Sequence, residues 1–219
     1  MDARKPRPLV RDKDSWRDDR LFIIACDDTY APKQYFGFFK FNRVKVHVIP
    51  TVDGTSNAQS VLNRLLEIEH EAYDERWIIL DTDHNINGPH LKNFTAAIAE
   101  AKRQKVSVAM SRPCFEVWLL LHHGEIDEVA GLKDANETAK ALKEKLGSYN
   151  KTSLKEEHFP LDKAHAAYGR AVALDKSVNQ GDIPDKNTTR VFRLWEEIIK
   201  NSLPSSVPHE VRKKMRKST

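Results

Sequence analysis

Short apolar runs closed by polar residues organise the first half of the chain. Leu21 to Cys26 (LFIIAC) is continuously apolar and ends in Asp27-Asp28, and Trp77 to Leu80 (WIIL) ends in Asp81-Thr82-Asp83. Strands buried on both faces read this way, with polar residues where the chain leaves the sheet. Val44 to Pro50 (VKVHVIP) alternates and is β-branched, and Val106 to Met110 (VSVAM) leads into Ser111-Arg112-Pro113, so both are expected to be strands. Helices are expected between them. One runs from Pro32 to Phe41, with Pro32 suited to a first turn. The next is capped by Thr55 or Ser56 and carries Val61, Leu62, Leu65, Leu66 and Ile68 at helical spacing. A third runs from about Pro89 to Gln104, after a turn at Asn85-Ile86-Asn87-Gly88. Four β-α units predict an α/β fold, a mostly parallel sheet flanked by helices.

Beyond Gly124 the pattern changes. Helical stretches at about 134–147, 160–178 and 188–201 are separated by Gly147-Ser148-Tyr149-Asn150-Lys151 and Gln180-Gly181-Asp182-Ile183-Pro184, with no strand-like run. The expected organisation is a basic lead-in over 1–20, an α/β core over 21–125, a helical part packed on it over 126–203, and a basic tail over 204–219. There is no internal repeat.

Composition narrows the class. The 219 residues are 40% hydrophobic and 31% charged, as in an ordinary soluble protein. No apolar run approaches the ~18 residues of a bilayer span, and Met1 to Arg20 lacks the apolar centre of a secretory signal. Cys26 and Cys114 are too few for a disulfide framework or a cysteine zinc site, and read as reduced, buried thiols of a cytoplasmic protein. The net charge of +4 conceals two basic ends, Arg4-Lys5-Pro6-Arg7 and Arg212-Lys213-Lys214-Met215-Arg216-Lys217. Such ends attract phosphates, and serve equally as solvated tails. They permit nucleic acid without requiring it.

In open parallel sheets ligands bind beyond the carboxyl ends of the strands. Asp27-Asp28, Asp81-Thr82-Asp83, and Arg112 with Glu116 all fall there. If the first and third strands are neighbours, their acidic ends converge, and hard carboxylate oxygens suit magnesium or manganese. Residues i and i+2 of an extended chain point the same way, so Asp81 and Asp83 can share an ion. Such an ion activates water or stabilises a leaving oxygen in phosphodiester cleavage. The competing reading is that acidic residues close strands as turn formers or helix caps. Asp27 is a candidate acid/base or ligand, Asp28 a candidate helix cap, and spacing does not decide which faces the rim. Glu116, in an apolar helix, either pairs with a cation such as Arg112 or joins the cluster. His122 and His123 end that helix, where cationic rings favour the helix dipole. Lys151, in a break between helices, can reach a phosphate.

Ser111-Arg112-Pro113-Cys114-Phe115-Glu116-Val117-Trp118-Leu119-Leu120-Leu121-His122 resembles the signature of the RloB-like family, Ser-Asn-Pro-Cys-Phe-Glu-x-Trp-Leu-Leu-Leu-His. Tyr35-Phe36, Asp81-Thr82-Asp83, Tyr149-Asn150-Lys151 and Thr188-Thr189-Arg190-Val191 resemble further family elements in the same order, over roughly residues 21 to 200. The resemblance implies a Toprim-like fold, as in primases, topoisomerases and overcoming-lysogenisation-defect nucleases. In those families a glutamate after the first strand and an Asp-x-Asp after the third hold magnesium. It further implies an anti-phage defence role and RNA such as tRNA as substrate; a separate possibility is that the helical C-terminal half docks an ATPase or other defence-system partner. One departure stands out. The family has Cys-Glu-Gly after its first strand, where this chain has Cys26-Asp27-Asp28, an acid one methylene shorter and no glycine.

The expectation is a magnesium- or manganese-dependent nuclease. Asp81, Asp83 and Asp27 would hold the metal, Glu116 would support the site, and Lys151, Arg112 and Tyr149 would contact substrate. The alternative is a Toprim-fold nucleic-acid or nucleotide sensor, or a partner subunit, without catalysis.

Overall fold

The computed structural model describes residues 19–51, 54–83, 85–86 and 88–215. The basic Arg4-Lys5-Pro6-Arg7, Asn87, and Arg216-Lys217 lie outside them. Four strands alternate with helices, in the order β1 (Arg20–Cys26), α1 (Ala31–Gly37), β2 (Val44–Ile49), α2 (Ala58–Leu66), β3 (Glu75–Asp81), α3 (His90–Arg103) and β4 (Ser107–Arg112). Then follow α4 (Glu116–Leu120), α5 (Ile126–Ala130), α6 (Ala135–Leu146), α7 (Leu161–Lys176), β5 (Thr188–Thr189), α8 (Val191–Asn201) and α9 (His209–Met215). The sheet order is β2-β1-β3-β4-β5, with β1 to β4 mutually parallel and β5 antiparallel to β4. This is a mixed α/β fold with a mostly parallel central sheet flanked by helices and a helical C-terminal extension.

The apolar runs are continuous because both faces of the sheet are covered. Phe22, Ile24 and Cys26 of β1 and Trp77 and Ile79 of β3 pack with Tyr35, Trp118, Phe159 and Trp195, from α1, α4, the α6–α7 connection and α8. The alternate residues, Ile23, Ala25, Ile78 and Leu80, pack with Val61, Leu62, Leu65, Phe94 and Ile98 of α2 and α3. Both cysteines are free and buried. Among the described residues no helix is long and apolar enough to cross a membrane.

Several local expectations are corrected. Helix α1 stops at Gly37 rather than Phe41; the N–H groups of Phe38 and Phe39 tighten onto Tyr35 and Phe36, and Phe38, Phe39 and Phe41 turn into the larger core. Asn57, not Thr55 or Ser56, caps α2: its Oδ1 accepts Ser60 N–H at 3.0 Å, while Thr55 is held by Arg64. The C-terminal half does contain a strand. Thr188 and Thr189 pair with Arg112 and Ser111, and the Ser111 and Thr189 hydroxyls meet at 2.9 Å. Within the basic C-terminal segment, His209–Met215 is helical, with Val211 and Met215 buried.

His122 is not a cationic helix end. It is 3% exposed, Nδ1 lies 2.9 Å from Trp118 O, and Nε2 lies 3.0 Å from the Tyr35 hydroxyl. Burial pushes its pKa down to about 3 and that of His123 down to about 4, so both rings are neutral near pH 7.

Candidate metal and phosphate site

The parallel pairing of β1 and β3, in which Cys26 lies beside Ile79, carries Asp27 to the end of β3. Asp27 N–H donates to Ile79 O at 3.4 Å, and Asp81 N–H donates back to Asp27 Oδ2 at 2.8 Å. Asp81 is the last residue of β3, but Asp83 lies in the turn beyond it rather than on extended chain. That turn is fixed from the β4 side. Thr82 N–H reaches both Ser111 O and Pro113 O, and Asp83 N–H reaches Pro113 O at 3.0 Å. The Asp81 carbonyl accepts Asn85 Nδ2 at 3.0 Å. Asp81 and Asp83 therefore share a cavity because of the turn, not because of strand periodicity.

Asp28 resolves the ambiguity of the acidic pair by doing two things. Its Oδ1 accepts the N–H groups of Tyr30 and Ala31, at 2.6 and 3.0 Å, and so closes the entry to α1. Its Oδ2 faces Lys151, with Nζ 2.5 Å away in an ion-pair contact. The same ammonium lies 3.4 Å from Glu116 Oε1, which also accepts the Tyr149 hydroxyl at 2.9 Å. Glu116 is thus paired with Lys151 and Tyr149, and not with Arg112, whose guanidinium donates to Pro184 O.

Asp27, Asp28, Asp81, Asp83 and Lys151 line one cavity of about 290 Å3 at the carboxyl ends of β1 and β3, together with Ser56, Asn57, Asn85 and His90. Burial raises the Asp27 pKa to about 7; the Asp81 N–H works against this and the Asp28 charge adds to it. Burial, then the charges of Asp27, Glu116 and Asp28, drive that of Asp81 well above the ordinary carboxylate range. Lys151 is raised, the charges of Glu116 and Asp28 outweighing its burial. Burial and the adjacent Glu116 likewise raise Tyr149, which keeps its proton to donate. Carboxylates of high proton affinity beside a fixed ammonium make a site that takes up cations and orients anions.

The structure thus brings together Asp27, Asp81, Asp83 and Lys151 around the cavity, and sets Glu116 and Tyr149 behind the ammonium. Arg112 precedes a cis peptide to Pro113 and is not among the residues lining the cavity. Sequence reasoning missed Gln34, Asn57, Asn85, His90 and Arg64. Gln34 Nε2 donates to Lys151 O at 3.0 Å and its Oε1 accepts Leu154 N–H at 2.8 Å, clamping the loop that carries the ammonium. Arg64 Nη2 donates to Thr51 Oγ1 and to Cys26 O, bracing the exit of β1. Polar residues on helices and turns have no distinguishing pattern, and only the turn at Asn85 was signalled.

The donor chemistry fits a hard divalent cation. Asp81 Oδ1 is buried without a hydrogen-bond partner beside Asp27, a position an oxygen-seeking ion would satisfy. Among the described residues, no three His, Cys, Asp or Glu side chains form a ready-made metal-holding group. Magnesium does not require one, since it commonly takes one or two carboxylates and completes its shell with water and substrate phosphate.

No curated protein and no solved structure matches the chain. One family model does, that of the RloB-like protein, over residues 22–198.

Proposed function

The chain belongs to the RloB-like protein family, and from that premise we propose that it is a metal-dependent nuclease that cuts phosphodiesters, RNA such as tRNA in preference to DNA, in anti-phage defence. The observation that carries this reading is the meeting of Asp27, Asp81, Asp83 and Lys151 around one cavity, with Asp81 Oδ1 left without a hydrogen-bond partner. Asp81 and Asp83 would hold magnesium or manganese, with Asp27 as a further ligand or as the acid/base, and the ion would supply Lewis-acid stabilisation of charge on the phosphate.

The chain's own residues do the rest. Where Asp27 stands outside the metal's shell, its carboxyl, whose hold on a proton burial strengthens, would exchange a proton with the attacking water or leaving oxygen. Lys151 presents positive charge to the cavity and favours the build-up of negative charge on a bound phosphate. Glu116 and Tyr149 hold that ammonium in place. The turn made by Thr82 and Asp83 on Pro113 O keeps the acidic rim from opening.

The second reading, a nucleic-acid or nucleotide sensor without chemistry, draws on one observation. Lys151 already neutralises part of the acidic cluster, and no three-carboxylate group stands preformed among the described residues. An ATPase or other defence-system partner is compatible with either reading. The deciding experiment is incubation of the purified protein with tRNA, mixed RNA and plasmid DNA in magnesium, manganese or EDTA, beside Asp81→Ala/Asp83→Ala. Metal-dependent cutting lost in the double variant supports the nuclease, and the substrate consumed names its class. Binding of RNA without cutting, unchanged in the variant, supports the sensor.

A further inference from the structure

Asp28 and Glu116 have the chemistry of a second cation site, but the oxygens that face the cluster are already engaged. Asp28 Oδ1 accepts two backbone N–H groups, and Oδ2, which like Asp81 Oδ1 has no hydrogen-bond partner, is in ion-pair contact with the Lys151 ammonium at 2.5 Å. Glu116 Oε1 accepts the Tyr149 hydroxyl at 2.9 Å and lies 3.4 Å from the same ammonium. The two residues are 7% and 3% exposed, so an incoming ion must displace a cation rather than water. The other half of the cluster differs. Asp27 spends one oxygen on Asp81 N–H, and Asp81 Oδ1 has no hydrogen-bond partner.

Nor is Lys151 a loosely held surface lysine. Gln34 grips its loop at two points, accepting from Leu154 N–H and donating to Lys151 O. Gln34 sits on α1, the helix whose entry Asp28 closes. The carboxylate that contacts the ammonium thus stands at the entry to α1, and the clamp that delivers the ammonium stands on α1 itself. Removing the ammonium would leave two nearly buried carboxylates without a counter-charge, a costly arrangement unless another cation enters.

We infer that Lys151 is a built-in counter-ion filling the Asp28–Glu116 half of the cluster, so that the protein takes one divalent cation, beside Asp27 and Asp81, rather than two. This rests on the metal-binding reading above. It makes Gln34 a positioning residue, acting on the site through the loop that bears Lys151.

The test is a count of bound manganese on the full chain, by calorimetry and by electron paramagnetic resonance of the free ion. Wild type is expected to bind one ion, lost in Asp81→Asn. Lys151→Met is expected to bind two, the added ion disappearing again when Glu116→Gln is combined with it. Lys151→Arg, which keeps the charge, is expected to stay at one. Two ions in wild type, or one in a folded Lys151→Met, would overturn the counter-ion while leaving metal binding intact. No ion in folded wild type would instead remove the metal-binding reading, and the counter-ion inference with it. If circular dichroism shows Lys151→Met to be unfolded, Gln34→Ala carries the test with every charge in place. Loosening the clamp is expected to admit a second, weaker manganese, and a count fixed at one to saturation would refute the inference.

Discussion

The backbone N–H of Asp81 donates to Oδ2 of Asp27 at 2.8 Å, fastening the last residue of β3 to the first residue beyond β1. A carboxylate one methylene shorter than the family's glutamate thus reaches across the gap between the two strands. It reaches a backbone group rather than standing free, which fixes its second oxygen relative to Asp81.

The first prediction tests this length. Asp27→Asn keeps an oxygen to accept the Asp81 N–H but loses the charge and the exchangeable proton. It is expected to fold normally and to lose roughly 10²–10⁴-fold in kcat, the usual worth of a general acid/base. Asp27→Glu restores the family's residue but pushes the carboxylate past the Asp81 N–H. It is expected to retain more activity than Asp27→Asn, with an altered magnesium requirement. Single-turnover cleavage of whichever nucleic acid the protein consumes, against magnesium concentration, checks both. Equal losses in the two variants would deny Asp27 a proton-transfer role.

Stability should report the same carboxylates without any substrate. The Asp27 pKa rises from about 3.9 in the unfolded chain to about 7 in the folded one, and that of Asp81 is raised as well. A raised acid contributes stability that is full below the unfolded pKa and is lost as pH climbs through the folded value. The Asp27 contribution to stability is therefore expected to fall between about pH 4 and pH 7 and to level off above, and saturating magnesium should counter the loss. Asp27→Asn should melt above wild type at pH 8 and approach it near pH 4, with about 2–4 °C for each kcal/mol recovered. Differential scanning fluorimetry of both proteins across pH reads the difference, and a gap between Asp27→Asn and wild type that does not widen from pH 4 to pH 7 would contradict it.

These carboxylates were legible in the sequence because strands buried on both faces leave unbroken apolar runs, and Asp27 and Asp81 stand where such runs end. Their neighbours across the sheet were legible only in part. Glu116 in an apolar helix had to have a partner, but Arg112 was the nearest cation in sequence, and Lys151 arrives from a loop after α6. The two-residue β5 was invisible, since Thr188-Thr189 is too short to show a period and is held by the match of its register to Ser111. Gln34 gave no signal, because its role lies in two contacts with a distant backbone.

Arg190 marks a different kind of hidden support. It is 3% exposed, pairs with Asp175 at 2.9 Å, and donates to the carbonyls of Asn179, Gly181 and Asp182. It therefore ties the end of α7 to the residue after β5, and its own N–H continues the β4 edge at Met110 O. Arg190→Met strands a buried carboxylate and three carbonyls, and is expected to cost about 3–5 kcal/mol in denaturant unfolding. Arg193 also reaches Asp175, at 3.0 Å, so the Asp175 charge is not wholly abandoned and the lower end of that range is expected. A loss below roughly 1 kcal/mol, the scale of an exposed pair, would show that this network is not stabilising.

The pair formed by Tyr35 and His122 supplies an opposite pH signature. The Trp118 carbonyl only accepts, so His122 Nδ1 carries the proton and Nε2 accepts from the Tyr35 hydroxyl. A histidine whose folded pKa is about 3 contributes stability that is full above its unfolded value near 6.5 and is lost as pH falls toward the folded value. His123, lowered to about 4, acts in the same direction. The histidines should therefore destabilise the protein as pH falls from 6.5 to 4, opposing the Asp27 contribution, which acts over the same window. His122→Gln is expected to lower Tm at pH 7 and to flatten this acid limb without abolishing it, since His123 remains. Tyr35→Phe leaves Nε2 buried without a donor and should cost about 1–3 kcal/mol at pH 7. Both proteins share the same unfolded histidine, so this penalty is expected to be nearly constant between pH 7 and pH 5. Paired melts of the three proteins at pH 4, 5 and 7 check it, and an unchanged acid limb in His122→Gln would exclude His122 as its source.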